Sequence, residues 1–367
     1  MKMLRLEDVA WAAGVQRQIN LDVLPGGMRC RRLLMFFCLT GTKDSADALA
    51  AALFSQSVAM CTLHKFLRIP GWHLQCVNES EHKRVPNLGA AIPGSGTTFA
   101  MEFFLEVPFR DSRQPGNEDG SIPTELLQSH QLEIEFAAAN VHGVGNLVIT
   151  AGTVRTFAEL VHGSSVPQLE QIGYYDPGSQ SIKLDAGVYK DILVCDGTTP
   201  GTVTRAEISH VDFDVDGDQV WANATHDQIV GRYNMKVQDT ASELALNAAT
   251  FMPVESLEPH GKGPITKAPA IEKSGYLQLT GTITAPRILY RRALEKDENT
   301  LEAIAAATGA AGIEPETYEP QTATKSPVRA LHKAQRQGRY GRKARLTSRV
   351  LPGKFRRTPT PGKKAKV

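Results

Sequence analysis

The chain has 367 residues, a formal net charge of +2, 41% hydrophobic and 22% charged residues. These values exclude a disordered or collagen-like chain and predict a soluble globular protein of about two domains, each large enough for its own core. Five Cys with no CxxC pair argue against a disulfide-stapled scaffold and for a reducing compartment. The longest apolar run, Leu33–Leu39, is too short to span a bilayer as a helix, and the acids in Met1–Gly14 leave no apolar core for a secretion signal.

In chain order, residues 1–14 read as a short helix with Leu4, Val9 and Trp11 on its apolar side, acting as a peripheral arm. Strands begin at Gln16–Leu24, and Arg32–Leu39 is apolar enough for burial on both faces. Asp44–Met60 is predicted as a helix: Asp44 or Ser45 caps it, and Leu49, Leu53 and Phe54 form one stripe. A hairpin turning on Pro70-Gly71 follows, then the Gly/Pro-rich loop Asn87–Thr98. Thr98–Phe109 is a strongly β-prone strand stopped by Pro108, residues 110–124 form a long polar loop, and Gln131–Phe136 and Asn146–Thr150 close the first half.

His162–Gly178 is the predicted boundary. Beyond it come strands at Ile182–Leu184 and Tyr189–Cys195, then the hairpin within Ile208–Asn234. Its Val211, Phe213 and Val215 alternate with Asp212, Asp214 and Asp216, and Asp216-Gly217 makes the turn. Glu243–Met252, Gly275–Thr284 and Arg287–Arg292 are the remaining strands, with the loop Glu255–Pro269 between the first two. Asn299 with Glu302 forms a capping box for a helix ended by Gly309.

The hairpin region occurs twice. At an offset of 146, Leu67, Ile69, Gly71, Leu74 and Cys76 fall on Phe213, Val215, Gly217, Val220 and Ala222, and both copies trail into an Asn, Asn87 and Asn234. Leu24–Met35 lies over Leu184–Cys195 at an offset of 160, with Leu33 on Leu193. Val107-Pro108 matches Met252-Pro253, and Leu132–Ile134 matches Leu277–Leu279, at 145. Such ordered matches predict an architectural duplication. The organisation expected is an arm at 1–14, a first β-domain at 15–163, a linker at 164–174 and a second β-domain at 175–293. A helix at 294–309 and an extended tail at 310–367 complete it.

Charge is unevenly distributed. No acid follows Glu319, while residues 325–367 hold 15 Lys and Arg, leaving a body with 26 basic against 39 acidic residues. A basic block of this kind is a solvated arm aimed at an anionic partner.

Four constellations could carry chemistry, each with a plainer reading. Asp212-x-Asp214-x-Asp216-Gly217 resembles the opening of an EF-hand loop, but the twelfth position is Asn223 and strand residues fill the alternate positions. Cys61/His64 and His73/Cys76 have metal-like spacing, although on a strand residues three apart point to opposite faces. Gly94-Ser-Gly96 is a lone glycine loop, and Glu133 with Glu135 share an exposed strand face. No GxSxG or HExxH motif is present. No cofactor, metal or catalytic residue is expected.

The repeated strand–turn–strand with its trailing Asn, the strand ending at Pro108 before a long loop, and the late strands Glu125–Phe136 and Ile271–Gly281 carry a resemblance. Over about Val15 to Arg292 the chain resembles the double jelly-roll major capsid proteins of tailless icosahedral viruses with an internal membrane, of the tectivirus, corticovirus and adenovirus type. The resemblance implies an all-β fold of two tandem jelly-roll sandwiches with short helices and a structural role without catalysis. It implies homotrimeric capsomers of pseudo-sixfold outline that tile a virion shell, made in the host cytoplasm, with penton and minor capsid proteins as further partners. Loops such as Arg110–Thr124 and Glu255–Pro269 would then form towers and lateral contacts.

The tail adds an interior contact with anionic membrane lipid or packaged nucleic acid. It would be made by Lys325, Arg329, Lys333, Arg336, Arg339, Arg342, Lys343, Arg345, Arg349, Lys354, Arg356, Arg357, Lys363, Lys364 and Lys366. A jelly-roll glycan-active enzyme or lectin-like module is the alternative. It would call for convergent carboxylates and aromatic platforms, in a chain with only 7% aromatics. A basic-tailed nucleic-acid-binding protein is a third reading, and the body has no stacking platform to support it.

Overall fold

Strand β1 (Lys2–Ala10) opens the fold where the sequence predicted a helix. Leu6 and Val9 are its buried residues, and their helix-like spacing comes from a β-bulge between Arg5 and Asp8 that adds one residue against the partner strand. The computed structural model describes residues 1–42, 57–82, 98–109, 121–138, 148–162, 169–197, 203–236, 248–249, 251–256 and 270–294. All of these lie within the unit Met1–Thr317, and the second unit, Tyr318–Val367, lies outside the described residues.

After β1 the first half runs through β2 (Gln16–Asn20), β3 (Arg29–Thr42), β4 (Val58–Leu63) and β5 (Leu67–Ile69) into helix α1 (Gly71–His82). Then come β6 (Phe99–Pro108), β7 (Ile122–Pro123), the single turn α2 (Thr124–Leu127), β8 (Gln131–Phe136) and β9 (Val148–Val161). The second half consists of β10 (Glu170–Tyr175), β11 (Ser181–Leu184), β12 (Gly187–Asp196), β13 (Val203–Thr204), β14 (His210–Val215) and β15 (Asp218–Thr225). Helix α3 (His226–Lys236), β16 (Ala248–Ala249), β17 (Met252–Ser256), β18 (Ala270–Ile271), β19 (Gly275–Thr280) and β20 (Pro286–Ala293) complete it.

The sheets show the duplication directly. The first half pairs strands in the orders β1-β9-β3-β6 and β2-β8-β4-β5, and the second half repeats both as β10-β20-β12-β17 and β11-β19-β14-β15. Each half is thus an eight-stranded jelly roll of two sheets. The helix between the fifth and sixth of these strands, α1 or α3, occurs in both. Among the described residues one parallel pairing, Ile172 of β10 with Leu67 of β5, joins one sheet of each half into a continuous nine-stranded sheet.

Alternation explains the cores. Leu33, Met35, Phe37 and Leu39 of β3 are buried while the residues between them are half-buried, so β3 has one interior face, where burial on both was expected. Phe37 stacks on Phe103 of β6 inside the first barrel, with ring centroids 4.5 Å apart. Phe213, Val211, Leu277 and Leu279 are buried in the second half.

Two sequence expectations fail for a shared reason. Gly71–His82 is a helix, not the second arm of a hairpin, so the offset of 146 set a strand–helix unit against a strand–strand unit. The true counterparts are β4 with β14, β5 with β15 and α1 with α3. Nearly every residue of α1 is buried, including His73, Gln75, Asn78, Ser80 and Glu81, and a helix enclosed on all sides has no apolar stripe to betray it. The offset of 160 is one residue out: Leu33 points into its barrel, whereas Leu193 shares the outward face of Cys195, which meets α1.

Val58–Met60 is strand, and the rest of the helix expected over Asp44–Met60 lies outside the described residues apart from Ser57. So do Asn87, Gly94-Ser-Gly96, most of both long loops, the helix at Asn299 and the whole basic tail.

Candidate assembly interface

The seam between the two jelly rolls is where polar chemistry concentrates. It forms because α1 closes the edge of the first barrel and lies against the outward face of β10, β12 and β20. Arg291 of β20, 1% exposed, pairs with Glu170 of β10 and, at 3.3 Å, with Glu81 of α1. Lys190 of β12 pairs with the other oxygen of Glu170, and Arg291 also donates to the Phe109 carbonyl at 3.3 Å. Breaking such a pair would strand a charge in the interior, so the network holds both halves in one register.

His73 of α1 sits at the upper part of this seam. Its Nε2 lies 3.0 Å from the Asp196 carbonyl and its Nδ1 3.2 Å from Nη1 of Arg287. Burial, aided by the Arg287 charge and opposed by the Asp196 bond, lowers its pKa to about 4. The ring is therefore neutral at pH 7, donating from Nε2 and accepting at Nδ1. Arg287 in turn forks onto Asp176 at 2.6 and 2.9 Å and lies 4.5 Å over the Tyr174 ring.

One helical turn on from His73, Cys76 hydrogen-bonds Cys195 of β12, and this contact together with burial raises its thiol well above the ordinary range. His73 and Cys76 thus share one face of a helix, correcting the opposite-face reading made for a strand. Their partners are a carbonyl, an arginine and a thiol. Cys61 is buried and its thiol is pushed up to about 12, while His64 lies in the β4–β5 turn, stacked on His130 at 4.2 Å. Among the described residues no cluster of three or more His, Cys, Asp or Glu could hold a metal ion.

The aspartates of the β14–β15 hairpin are occupied by backbone. Asp214 accepts the Gly217 N–H at 2.9 Å, and Asp212 accepts the Asn223 N–H at 2.6 Å. Asp216 accepts three, from Glu272, Lys273 and Ser274. Its slight burial alone would raise its pKa, but the three N–H bonds outweigh that and hold it below the carboxylate range. With φ of 58° and 89°, Asp216 and Gly217 make the left-handed turn that the sequence predicted. Glu133 and Glu135 do lie on the outward side of β8, with Glu133 accepting from Gln18.

Sequence reasoning missed Arg291, Glu170 and Glu81, because buried charges separated by up to 210 positions leave no local pattern. It also passed over a readable signal, the capping box of α3. There Gln228 accepts the Thr225 N–H at 2.8 Å and Thr225 accepts the Gln228 N–H at 3.2 Å. The fifteen basic residues singled out in the tail lie outside the described residues.

No family model and no curated relative matches the chain. Solved structures do. The STIV major capsid protein is similar at a TM-score of 0.54 and 11% identity, covering 79% of this chain and 95% of that one. The major capsid protein of bacteriophage PM2 aligns at 0.48 and 10% identity over 81% and 98%. The mavirus major capsid protein aligns at 0.39 and 11% over 79% and 86%. With both strand orders of a jelly roll present twice, and that likeness extending across both halves, this chain is by fold a double jelly roll of the kind seen in the STIV major capsid protein.

Proposed function

We propose that the chain is a viral major capsid protein that forms homotrimeric capsomers of pseudo-hexagonal outline in an icosahedral shell. The observation that carries this reading is the pairing of two complete jelly rolls along a buried seam, in a chain whose fold covers 95% of the STIV protein. The seam supports a structural role rather than catalysis. Its charges neutralise one another, and the hairpin carboxylates are committed to backbone N–H groups.

In this reading the basic tail faces the interior and touches anionic lipid or genome, leaving an acidic body whose outer surface repels other polyanions. Penton and minor capsid proteins are the remaining partners of such a shell. Light scattering of the full chain at micromolar concentration, with negative-stain images, tests the proposal. A trimeric mass with a hexagonal outline is expected, and a monomer mass overturns it.

A further inference from the structure

Two of the five free cysteines meet across the seam. Cys76 lies on α1 of the first jelly roll and Cys195 on β12 of the second, more than a hundred positions apart in the chain. Two contacts of the neighbouring His73 hold the helix in place there. His73, one turn before Cys76, bonds through Nε2 to the carbonyl of Asp196, the residue after Cys195. Its Nδ1 meets Arg287, which stands opposite Cys195 in the β12–β20 register. The two thiols are thereby brought into hydrogen-bond contact, each at most 1% exposed.

The remaining thiols lie elsewhere. Cys30 donates to the Arg32 carbonyl at 3.4 Å, Cys38 is half-buried further along β3, and Cys61 is buried on β4. A metal does not explain the pair, because both nitrogens of His73 are committed to Asp196 and Arg287.

We propose that Cys76 and Cys195 form a cross-link site, at which a small-molecule disulfide oxidises the pair and joins the two jelly rolls covalently. One cysteine thiolate attacks the external disulfide, forming a mixed disulfide and releasing one thiol. The second cysteine thiolate then attacks the protein sulfur of that mixed disulfide and releases the other thiol. The protein loses two electrons and its two thiol hydrogens, and one external disulfide becomes two thiols. Since the thiols already touch, closing them to the S–S length of about 2 Å asks for a small side-chain movement.

Burial sets the timing. The contact with Cys195 together with burial raises the Cys76 thiol, so the closed seam holds little thiolate and shields the pair from reagents. The bond therefore forms as the chain folds or as the seam opens, and a closed seam then shelters it from reductant. In a reducing compartment the pair stays as thiols, and transfer to an oxidising medium locks the halves together. This holds whatever the chain assembles into.

The test uses the full chain, incubated at pH 8 with oxidised glutathione and enough urea to open the seam without unfolding the protein. The thiol count after denaturation is expected to fall from five to three with the oligomeric mass unchanged, and tryptic mapping should find residues 76 and 195 joined. The urea midpoint should rise, because the link restrains the unfolded chain, and dithiothreitol should return it. Cys195→Ala should show neither the link nor the rise. A variant with Cys30, Cys38 and Cys61 all replaced by Ala should still lose both of its thiols. Five thiols retained after refolding in the glutathione buffer would overturn the proposal. So would a link between any other pair, or glutathione left bound at Cys76 or Cys195.

Discussion

Arg291 of the second jelly roll and Glu81 of the first form an ion pair at 3.3 Å, with side chains 1% and 2% exposed. Both halves therefore share one charge network, to which Glu170 and Lys190 contribute from the second half.

Replacing Arg291 by Met keeps its bulk and removes the charge, taking a cationic partner from the buried Glu81 and Glu170. A loss of about 3–5 kcal/mol is expected. Urea unfolding of the variant should show the lower midpoint, and Glu81→Gln combined with Arg291→Met should recover part of it. Equal midpoints for wild type and the Met variant would mean the network holds nothing.

His73 makes stability depend on pH. Its folded-state pKa of about 4 lies below the ordinary 6.5, so the unfolded chain takes up this proton first. The contribution is fully present above 6.5 and is lost as pH falls towards 4, amounting to about 3 kcal/mol at most. Urea midpoints of His73→Gln should fall less steeply between pH 6.5 and 4 than those of the wild type. Parallel curves would remove His73 as the titrating group.

Asp216 ties the β14–β15 turn to residues 272–274 through three N–H bonds. Asp216→Ala is expected to cost about 1 kcal/mol, at the low end for charged hydrogen bonds because the group faces solvent. Its folded pKa lies below 3.8, so the difference from wild type should be full at pH 7 and shrink as pH falls through that value. Millimolar calcium should leave the melting temperature unchanged, and a calcium-dependent rise would restore a metal-binding role to the hairpin.

Truncation after Tyr318 removes all fifteen basic residues of the tail. The expected result is an intact oligomer that no longer binds anionic liposomes or DNA. The full chain should bind, and its binding should weaken steeply across a salt series as counterion release loses its advantage. Undiminished binding after truncation would take that role from the tail.

Elements with one buried face were legible from the residues alone. Strands β6 and β8 fall where β-prone runs were read, and Leu132–Ile134 and Leu277–Leu279 do occupy equivalent strands of the two halves. The Asp216-Gly217 turn was readable because only certain residues tolerate its backbone angles. The acidic body and basic tail are likewise properties of the chain itself. The seam was not legible. Periodicity reports one-sided burial, and α1 is enclosed on every side, so Leu67–Cys76 passed for a hairpin. The bulge in β1 breaks the strand period, since one extra residue puts the buried Leu6 and Val9 three apart. Which outward face is closed, that of β12 and β20, and which stays open, that of β3 and β9, depends on where α1 and α3 come to rest. Packing between residues more than a hundred positions apart decides that, and no local pattern records it.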